Sequence, residues 1–495
     1  MTAERTLSYL KHRYGRIFFY LGDILTFLGY LMLLPTLVCI FYPEESYLSL
    51  TFVLAALITN FLGLSIKKRF ENLDVGALTH EESEIIVFLS WMIAVIISAY
   101  PIAQLGSLNF SQAIFESVSG WTTTGLSVVD VENAPRILLF WRSLIQLAGG
   151  AGLAIIMVSA ITGSRASGIS ISEGRGDQLV PHVKKSAEIV LTIYLGYALA
   201  GTLAYKFAGM SLFDALNHSF AAVSTGGFST KAASIGHWDS LAIEIVTLPL
   251  MFLGSLSFLS AWMAIEGKFK NLAENGEIKI FCVFASLATL LIFWLTCWKL
   301  YPGLNKSIRV AIFETVSALT TTGFSTVPYN DWNSPGIMTM IILMLVGGGS
   351  CSTAGGLKQI RVWILYQQIK CEIYRFFYPP KTVLELEINE GDSARSFSDA
   401  RFRNLAVFFS IYIFSYFVGV LVLTANGASV QQAMFEFASS LGTVGLSVGI
   451  TSANMPDTVL WVETAGMFLG RLEFFVVIVS LLRLFKDTRL YFSRK

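Results

Sequence analysis

Charge is what this 495-residue chain has least of. Only 14% of its residues are Asp, Glu, Lys or Arg, against about 25% in a soluble globular protein. Its 35 basic and 34 acidic residues leave a net charge of +1, and no basic stripe suited to a nucleic-acid partner stands out. The five cysteines, Cys39, Cys282, Cys297, Cys351 and Cys371, mostly lie in or beside apolar runs without paired spacing. That argues against a disulfide framework or a zinc site. There is no nucleophile with a base at motif spacing and no His-Glu-x-x-His cluster, so a membrane-embedded enzyme using glutamates and a histidine is disfavoured and the chain is read as a non-enzyme. A Gly-rich phosphate-binding loop is also missing.

What the chain has in excess is apolar surface: 54% hydrophobic residues and a mean hydropathy of +0.62. This composition predicts an integral membrane protein, with roughly 20 apolar residues needed per helical crossing. Ten apolar runs qualify, near 17–42, 48–66, 84–104, 138–162, 187–209, 241–265, 278–301, 336–366, 403–425 and 458–485. The first is too long for a signal-peptide core and reads as a retained anchor. Basic residues precede the first run (Lys11, Arg13, Arg16) and follow every even-numbered one, as in Lys67, Lys68 and Arg69 after the second. The positive-inside rule then puts both termini in the cytoplasm.

A thirteen-residue pattern recurs four times, as FESVSGWTTTGLS, NHSFAAVSTGGFS, FETVSALTTTGFS and FEFASSLGTVGLS. The copies align without a gap and set Gly125, Gly227, Gly323 and Gly445 in register, 102, 96 and 122 residues apart. Such a period suits a duplicated multi-helix unit. Each copy hangs on the outer side between an odd and an even run, behind an apolar segment half as long as a crossing requires. It must therefore enter the membrane and return, and non-helical backbone at that depth has to be buried or line a wet cavity. The predicted fold is all-α: four pseudo-symmetric helix–pore loop–helix units around one central pore, preceded by a two-helix leader. Approximate boundaries are 1–75 for the leader and 76–182, 183–272, 273–395 and 396–495 for the units. Gly149, Gly254, Gly347 and Gly470 extend the repeat into each unit's second helix. The polar linkers at 164–185, 266–279 and 370–403 fall inside, either as solvated connections or as a docking surface.

The chemistry lies in the four tetrads Thr122-Thr123-Thr124-Gly125, Ser224-Thr225-Gly226-Gly227, Thr320-Thr321-Thr322-Gly323 and Gly442-Thr443-Val444-Gly445. A cation sheds water most readily into rings of backbone carbonyls. Aiming successive carbonyls at one axis takes unusual dihedrals, which glycine reaches without steric cost. A half-helix ending at each loop turns its negative dipole end toward the ion.

On these repeats the chain resembles, end to end, the Trk/Ktr/HKT superfamily of potassium transport proteins, and its leader pair is most like the TrkH branch. The resemblance implies K+ as the transported ion with Rb+ as a substitute, since a serine at the Gly125 position goes with sodium permeation in that superfamily. It also implies a homodimer in the inner membrane and a cytoplasmic TrkA-like regulatory protein that carries any nucleotide, NAD(H) or ATP/ADP. A Na+- or H+-coupled symporter is the alternative mechanism.

The eighth run is broken by Gly347-Gly348-Gly349-Ser350-Cys351-Ser352-Thr353-Ala354-Gly355-Gly356-Leu357-Lys358. Each mid-helix glycine costs about 1 kcal/mol relative to alanine. The resemblance makes this stretch an intramembrane gate; close helix packing through small residues is the other reading. Arg471, inside the tenth run, demands a cavity or a partner. The resemblance places it beneath the filter, and a structural ion pair is its rival. Lys358 either faces the inner vestibule or snorkels to the cytoplasm. Glu116, His218, Glu314 and Glu436 occupy matching positions and are read as buried hydrogen-bonding groups behind the filter. Asp23, Arg142 and Glu244 receive only packing or interfacial roles.

Overall fold

The computed structural model describes residues 3–71, 78–152, 183–268, 270, 272, 275–377, 387–390, 393–396 and 399–494. The leader is α1 (Ala3–Leu31) against α2 (Ser49–Phe70). These two pack closely where Gly22 and Gly63 meet, and an Asp23–Lys67 ion pair at 2.6 Å fastens them. Unit 1 is α3 (His80–Gly106), α4 (Phe110–Trp121) and α5 (Arg136–Gly150); unit 2 is α6 (Val183–Phe207), α7 (Leu212–Val223), α8 (Leu241–Ser255) and α9 (Phe258–Ile265). Unit 3 is α10 (Gly276–Ile292), α11 (Leu304–Leu319), α12 (Ser334–Val346) and α13 (Gln359–Arg375). A two-stranded antiparallel hairpin, β1 (Glu387–Glu390) with β2 (Ser393–Ser396), lies within the third polar linker. Unit 4 is α14 (Asp399–Ala425), α15 (Val430–Leu441), α16 (Asp457–Arg471) and α17 (Phe475–Arg494).

The half-helices α4, α7, α11 and α15 occupy the positions that the repeat assigns to them. Three begin at side-chain caps: Asn109 with Gln112, Ser211 with the Asp214 amide, and Ser429 with Gln432. Such caps satisfy the free amides that a helix start leaves. Among the described residues six helices are long and apolar enough to cross a membrane, and up to eight if each bent pair counts as one crossing.

Here the structure departs from ten straight runs. Only the eighth was expected to break. The sixth also bends, by 114° between α8 and α9, and the tenth by 103° between α16 and α17. Both bends follow the register glycines Gly254 and Gly470, which press against the carbonyls of Val223 and Leu441 at the ends of α7 and α15. Gly149 presses likewise on Trp121 at the end of α4. The fourth run is described only to residue 152, and most of the 164–185 linker lies outside the described residues.

Buried Arg13 ties α1, α3 and α17 together, pairing with Glu81 at 3.1 Å and Asp487 at 3.3 Å; Arg483 adds a second bond to Glu81 at 2.8 Å.

Candidate functional site

All four half-helices end in the same way. The third tetrad residue donates its amide five residues back, Thr124 to Ser119, Gly226 to Ala221, Thr322 to Ser317 and Val444 to Ser439, at 2.8–3.0 Å. The second donates three back, Thr123 to Gly120, Thr225 to Ala222, Thr321 to Ala318 and Thr443 to Ser440. This is a Schellman closure, whose left-handed residue is usually glycine. Here it is threonine each time, with φ of 54°, 50°, 54° and 49°. A β-branched residue in that region is strained, and threonine is the one residue common to the second position of all four tetrads.

The glycines that follow close a ring. A Cβ on Gly125 would fall within 3.0 Å of the Gly226 carbonyl oxygen, and one on Gly227 would do the same to Thr322. Gly323 meets Val444 in this way, and Gly445 meets Thr124. Each loop thus touches the next, in chain order, and the fourth returns to the first. The sixteen tetrad residues proposed from sequence are therefore brought together. Outside the ring lies a cavity of about 720 Å³ whose lining includes all four glycines, with Asp130 and Lys231 also on its wall.

Behind the ring each loop is braced differently. Loops 1 and 3 pair hydroxyls, Thr122 with Thr124 at 2.7 Å and Thr320 with Thr322 at 2.8 Å. Ser119 and Ser439 accept from the amides of Gly125 and Gly445, both at 3.0 Å. Loop 2 has Ala221 at that position, and its brace comes from unit 1: Gln146 donates Nε2 to the Gly226 carbonyl at 2.5 Å and accepts from the Phe228 amide at 3.2 Å. A Cβ at residue 226 would strike this amide, which explains why loop 2 reads STGG. Gly226→Thr alone should lower the melting midpoint by the equivalent of about 1–3 kcal/mol of overpacking. Combined with Gln146→Ala it should recover part of that loss, because a shared contact makes penalties non-additive. Simple addition of the two penalties in thermal unfolding would reject the brace.

The matched glutamates and histidine sit one layer further back. Glu116 accepts from Ser127 and the Val128 amide, both at 2.9 Å, and from Arg142 at 2.7 Å. His218 meets Ser229 at 2.9 Å, and Glu436 accepts from Ser447 at 2.6 Å. Glu314 uses Thr326 and Tyr329 instead. The second and last residues of the thirteen-residue repeat therefore bond to one another in three of the four copies. Arg142 does more than pack helices, since it also donates to the Ser127 hydroxyl at 2.8 Å and the Ser229 carbonyl at 3.3 Å, joining loops 1 and 2. Asp23 and Glu244 stay in interfacial pairs, the latter with Arg309 at 2.6 Å.

Beneath the ring runs the glycine-rich segment between α12 and α13. Thr353 is its hub: its hydroxyl reaches the Thr225 hydroxyl at 3.0 Å and the Gly254 carbonyl at 2.8 Å, and its carbonyl accepts from Thr123 at 3.4 Å. The Gly355 amide donates to the Thr321 hydroxyl at 2.8 Å, and the Gly355 Cα abuts the Thr443 hydroxyl. All four left-handed threonines thus face residues 353–355. Arg471 donates to the Thr353 carbonyl at 2.6 Å and the Gly149 carbonyl at 2.8 Å. Lys358 does not snorkel: it is buried and turns back to the Ala354 carbonyl. Its backbone takes a positive φ of 77° where it leads into α13. The lower side of the segment rests on unit 2 and on Glu277, with Gly349 bonded to the Ser255 carbonyl at 2.9 Å, Cys351 accepting from Phe258 at 3.2 Å and Ser350 donating to Glu277 at 2.7 Å. Ser352 accepts the Ala354 amide, while Gly347 and Gly348 accept from Gln359. Gly356 packs on Gly347.

A family model described as TrkH, cation transport protein, matches residues 56–488. The chain belongs to the TrkH family. A TrkH potassium uptake protein of Halomonas elongata is 31% identical over 415 residues, covering 80% of this chain and 84% of that protein. An uncharacterized cation transporter of Methanocaldococcus jannaschii is 29% identical, covering 95% and 96%. The crystal structure of the potassium transporter TrkH from Vibrio parahaemolyticus superposes with a TM-score of 0.82 at 28% identity, covering 94% of this chain and 98% of that one. The all-α architecture and the multi-pass membrane character follow from this match and from the apolar helices. Within the TrkH fold, Gln146 and Glu277 are functional candidates that motif reading passed over, and Arg142 is one to which it gave only a packing or interfacial role. Arg142 had a signal: it stands seven residues before its register glycine, where unit 4 also carries a charge, Glu463.

Proposed function

We propose that this protein takes up K+, with Rb+ as a substitute, through the ring formed by the four tetrads. The carrying observation is that closed ring, set between an outer cavity that reaches all four glycines and an inner segment that touches all four threonines. Relatives named as potassium uptake proteins support K+ as cargo. In this reading the ring's carbonyls replace the ion's water. Residues 347–356, with Lys358 and Arg471, form the gate, and the guanidinium lowers cation occupancy beneath the ring.

The membrane is the inner one, both termini are cytoplasmic and two copies pair. A cytoplasmic TrkA-like partner carrying NAD(H) or ATP/ADP acts through the polar linkers, with α13 leading from the gate toward them. Purified protein in liposomes should accumulate Rb+ down its gradient, blocked by excess K+. No uptake with or without partner and nucleotide would overturn the pore. Uptake that requires a sodium or pH gradient would turn the reading to coupled symport.

A further inference from the structure

Units 1 and 4 treat the same buried carboxylate in opposite ways. Seven residues before the register glycines stand Arg142, Thr247, Met340 and Glu463. In unit 1 Arg142 neutralises Glu116 at 2.7 Å. In unit 4 the partner across from Glu436 is Glu463, and neither has any solvent exposure.

The two carboxyls are not equally supplied with donors. Glu436 accepts from the Ser447 hydroxyl at 2.6 Å, the Val448 amide at 3.0 Å, and both the amide and hydroxyl of Thr451 at 2.9 and 2.5 Å. That is a full complement for an anion. Glu463 Oε2 lies 3.2 Å from the same Thr451 hydroxyl, and among the described residues Glu463 Oε1 accepts no hydrogen bond. A hydroxyl has one hydrogen. The Thr451 hydrogen goes to Glu436 at the shorter distance, so the contact with Glu463 is a bond only if Glu463 is the donor.

Among the described residues no basic group is paired with either carboxyl. Among the helices packed on α16, α15 contributes only Glu436 as a titratable group. The carboxylate of α4, Glu116, is turned to Arg142. On α14 the mid-helix titratable groups are Tyr412 and Tyr416, the latter donating to the Met434 carbonyl at 3.0 Å. Two ionised carboxylates in one dry pocket repel, and such a pair keeps a proton.

We propose that Glu463 is a resident proton site, a neutral carboxylic acid donating to Thr451 Oγ1, with Glu436 as the ionised member of the pair. The relay Glu463–Thr451–Glu436 then holds residues 447–451, the outer arm of loop 4. Ionising Glu463 removes the donor and sets two anions against that arm. The proton assignment rests on the pocket alone; its consequence for flux rests on the K+ pore reading.

Infrared spectra of the purified protein near pH 7 should contain a protonated-carboxyl band that Glu463→Gln removes. In Glu436→Gln that band should vanish at a lower pH than in wild type, because a neighbouring negative charge is gone. Identical carboxyl bands in wild type and Glu463→Gln, or no shift in Glu436→Gln, would overturn the assignment. The folded state holds a proton that the unfolded chain releases, so the wild-type melting midpoint should fall as pH rises, and less so in Glu463→Gln. Equal pH dependence in both would count against it. Rb+ flux should fall about threefold in wild type as pH is raised through the range in which the infrared band disappears, and hold steady in Glu463→Gln. If wild type carries no Rb+ at any pH, the transport reading fails while the infrared band still decides the proton.

Discussion

Arg471→Ala is expected to raise Rb+ flux into liposomes about tenfold or more in the absence of any partner. The guanidinium donates to the Thr353 carbonyl at 2.6 Å and to the Gly149 carbonyl at 2.8 Å, bridging units 3 and 1 from its place in unit 4. Hydrogen bonds from a charged group contribute about 1.5–3 kcal/mol each, and each 1.4 kcal/mol is about a factor of ten in an equilibrium. Losing them frees the hub that holds the segment against Thr123 and Thr225. Removing the positive charge also lifts a barrier to cations directly beneath the ring. Arg471→Lys should fall between, since an ammonium keeps the charge but not the guanidinium's planar fork of donors. Flux in Arg471→Ala equal to or below wild type, with the protein still folded, would sink the gate.

The ring was legible because it is written four times. A Thr/Gly tetrad in isolation is a common turn, whereas four copies in register, each on a segment too short to cross, leave little besides convergence. The glycine-rich break was legible for a related reason, since so many glycines oppose a helix. What hid from the sequence was chemistry that differs between copies. Gln146 braces loop 2 from another unit, and its signature is only the missing serine at Ala221 and the small residue at Gly226. Arg142 and Glu463 share one register position with opposite charges, so a search for likeness gives the first only a packing role and passes over the second. The bends after Ser255 and Arg471 carry no glycine run. Leu256-Ser257 and Leu472-Glu473-Phe474 turn because the preceding register glycine docks on a neighbouring half-helix, and Glu473 and Phe474 take left-handed φ of 54° to do so. Tertiary contact decides these turns, and local composition does not announce it.

Unit 3 departs from the others at the same point. Gly149, Gly254 and Gly470 rest on half-helix carbonyls, but Gly347 rests on the Gly355 carbonyl inside its own segment. The docking site left open at the end of α11 is where Gly355 bonds to Thr321. One register glycine released from its half-helix gives the chain room to fold back under the ring, so the asymmetry of unit 3 grows out of the repeat itself.

Gly125→Ser is expected to lower the Rb+ over Na+ flux ratio about tenfold or more. Gly125 has φ 99°, and a Cβ there would collide with the Gly226 carbonyl oxygen. That oxygen already accepts from Gln146, so it cannot retreat without breaking the brace of loop 2. The backbone strain costs about 1–3 kcal/mol, and the collision opens the ring between loops 1 and 2. Carbonyls pushed apart no longer match the larger ion's hydration shell, so discrimination against Na+ is lost before conduction is. Gly427→Ser separates strain from ring geometry, because Gly427 also has φ 99° but nothing lies within 4 Å of its added Cβ. It should lower thermal stability and leave the flux ratio unchanged. Equal loss of selectivity in both variants would show that general destabilisation, and not closure of the ring, sets the preference.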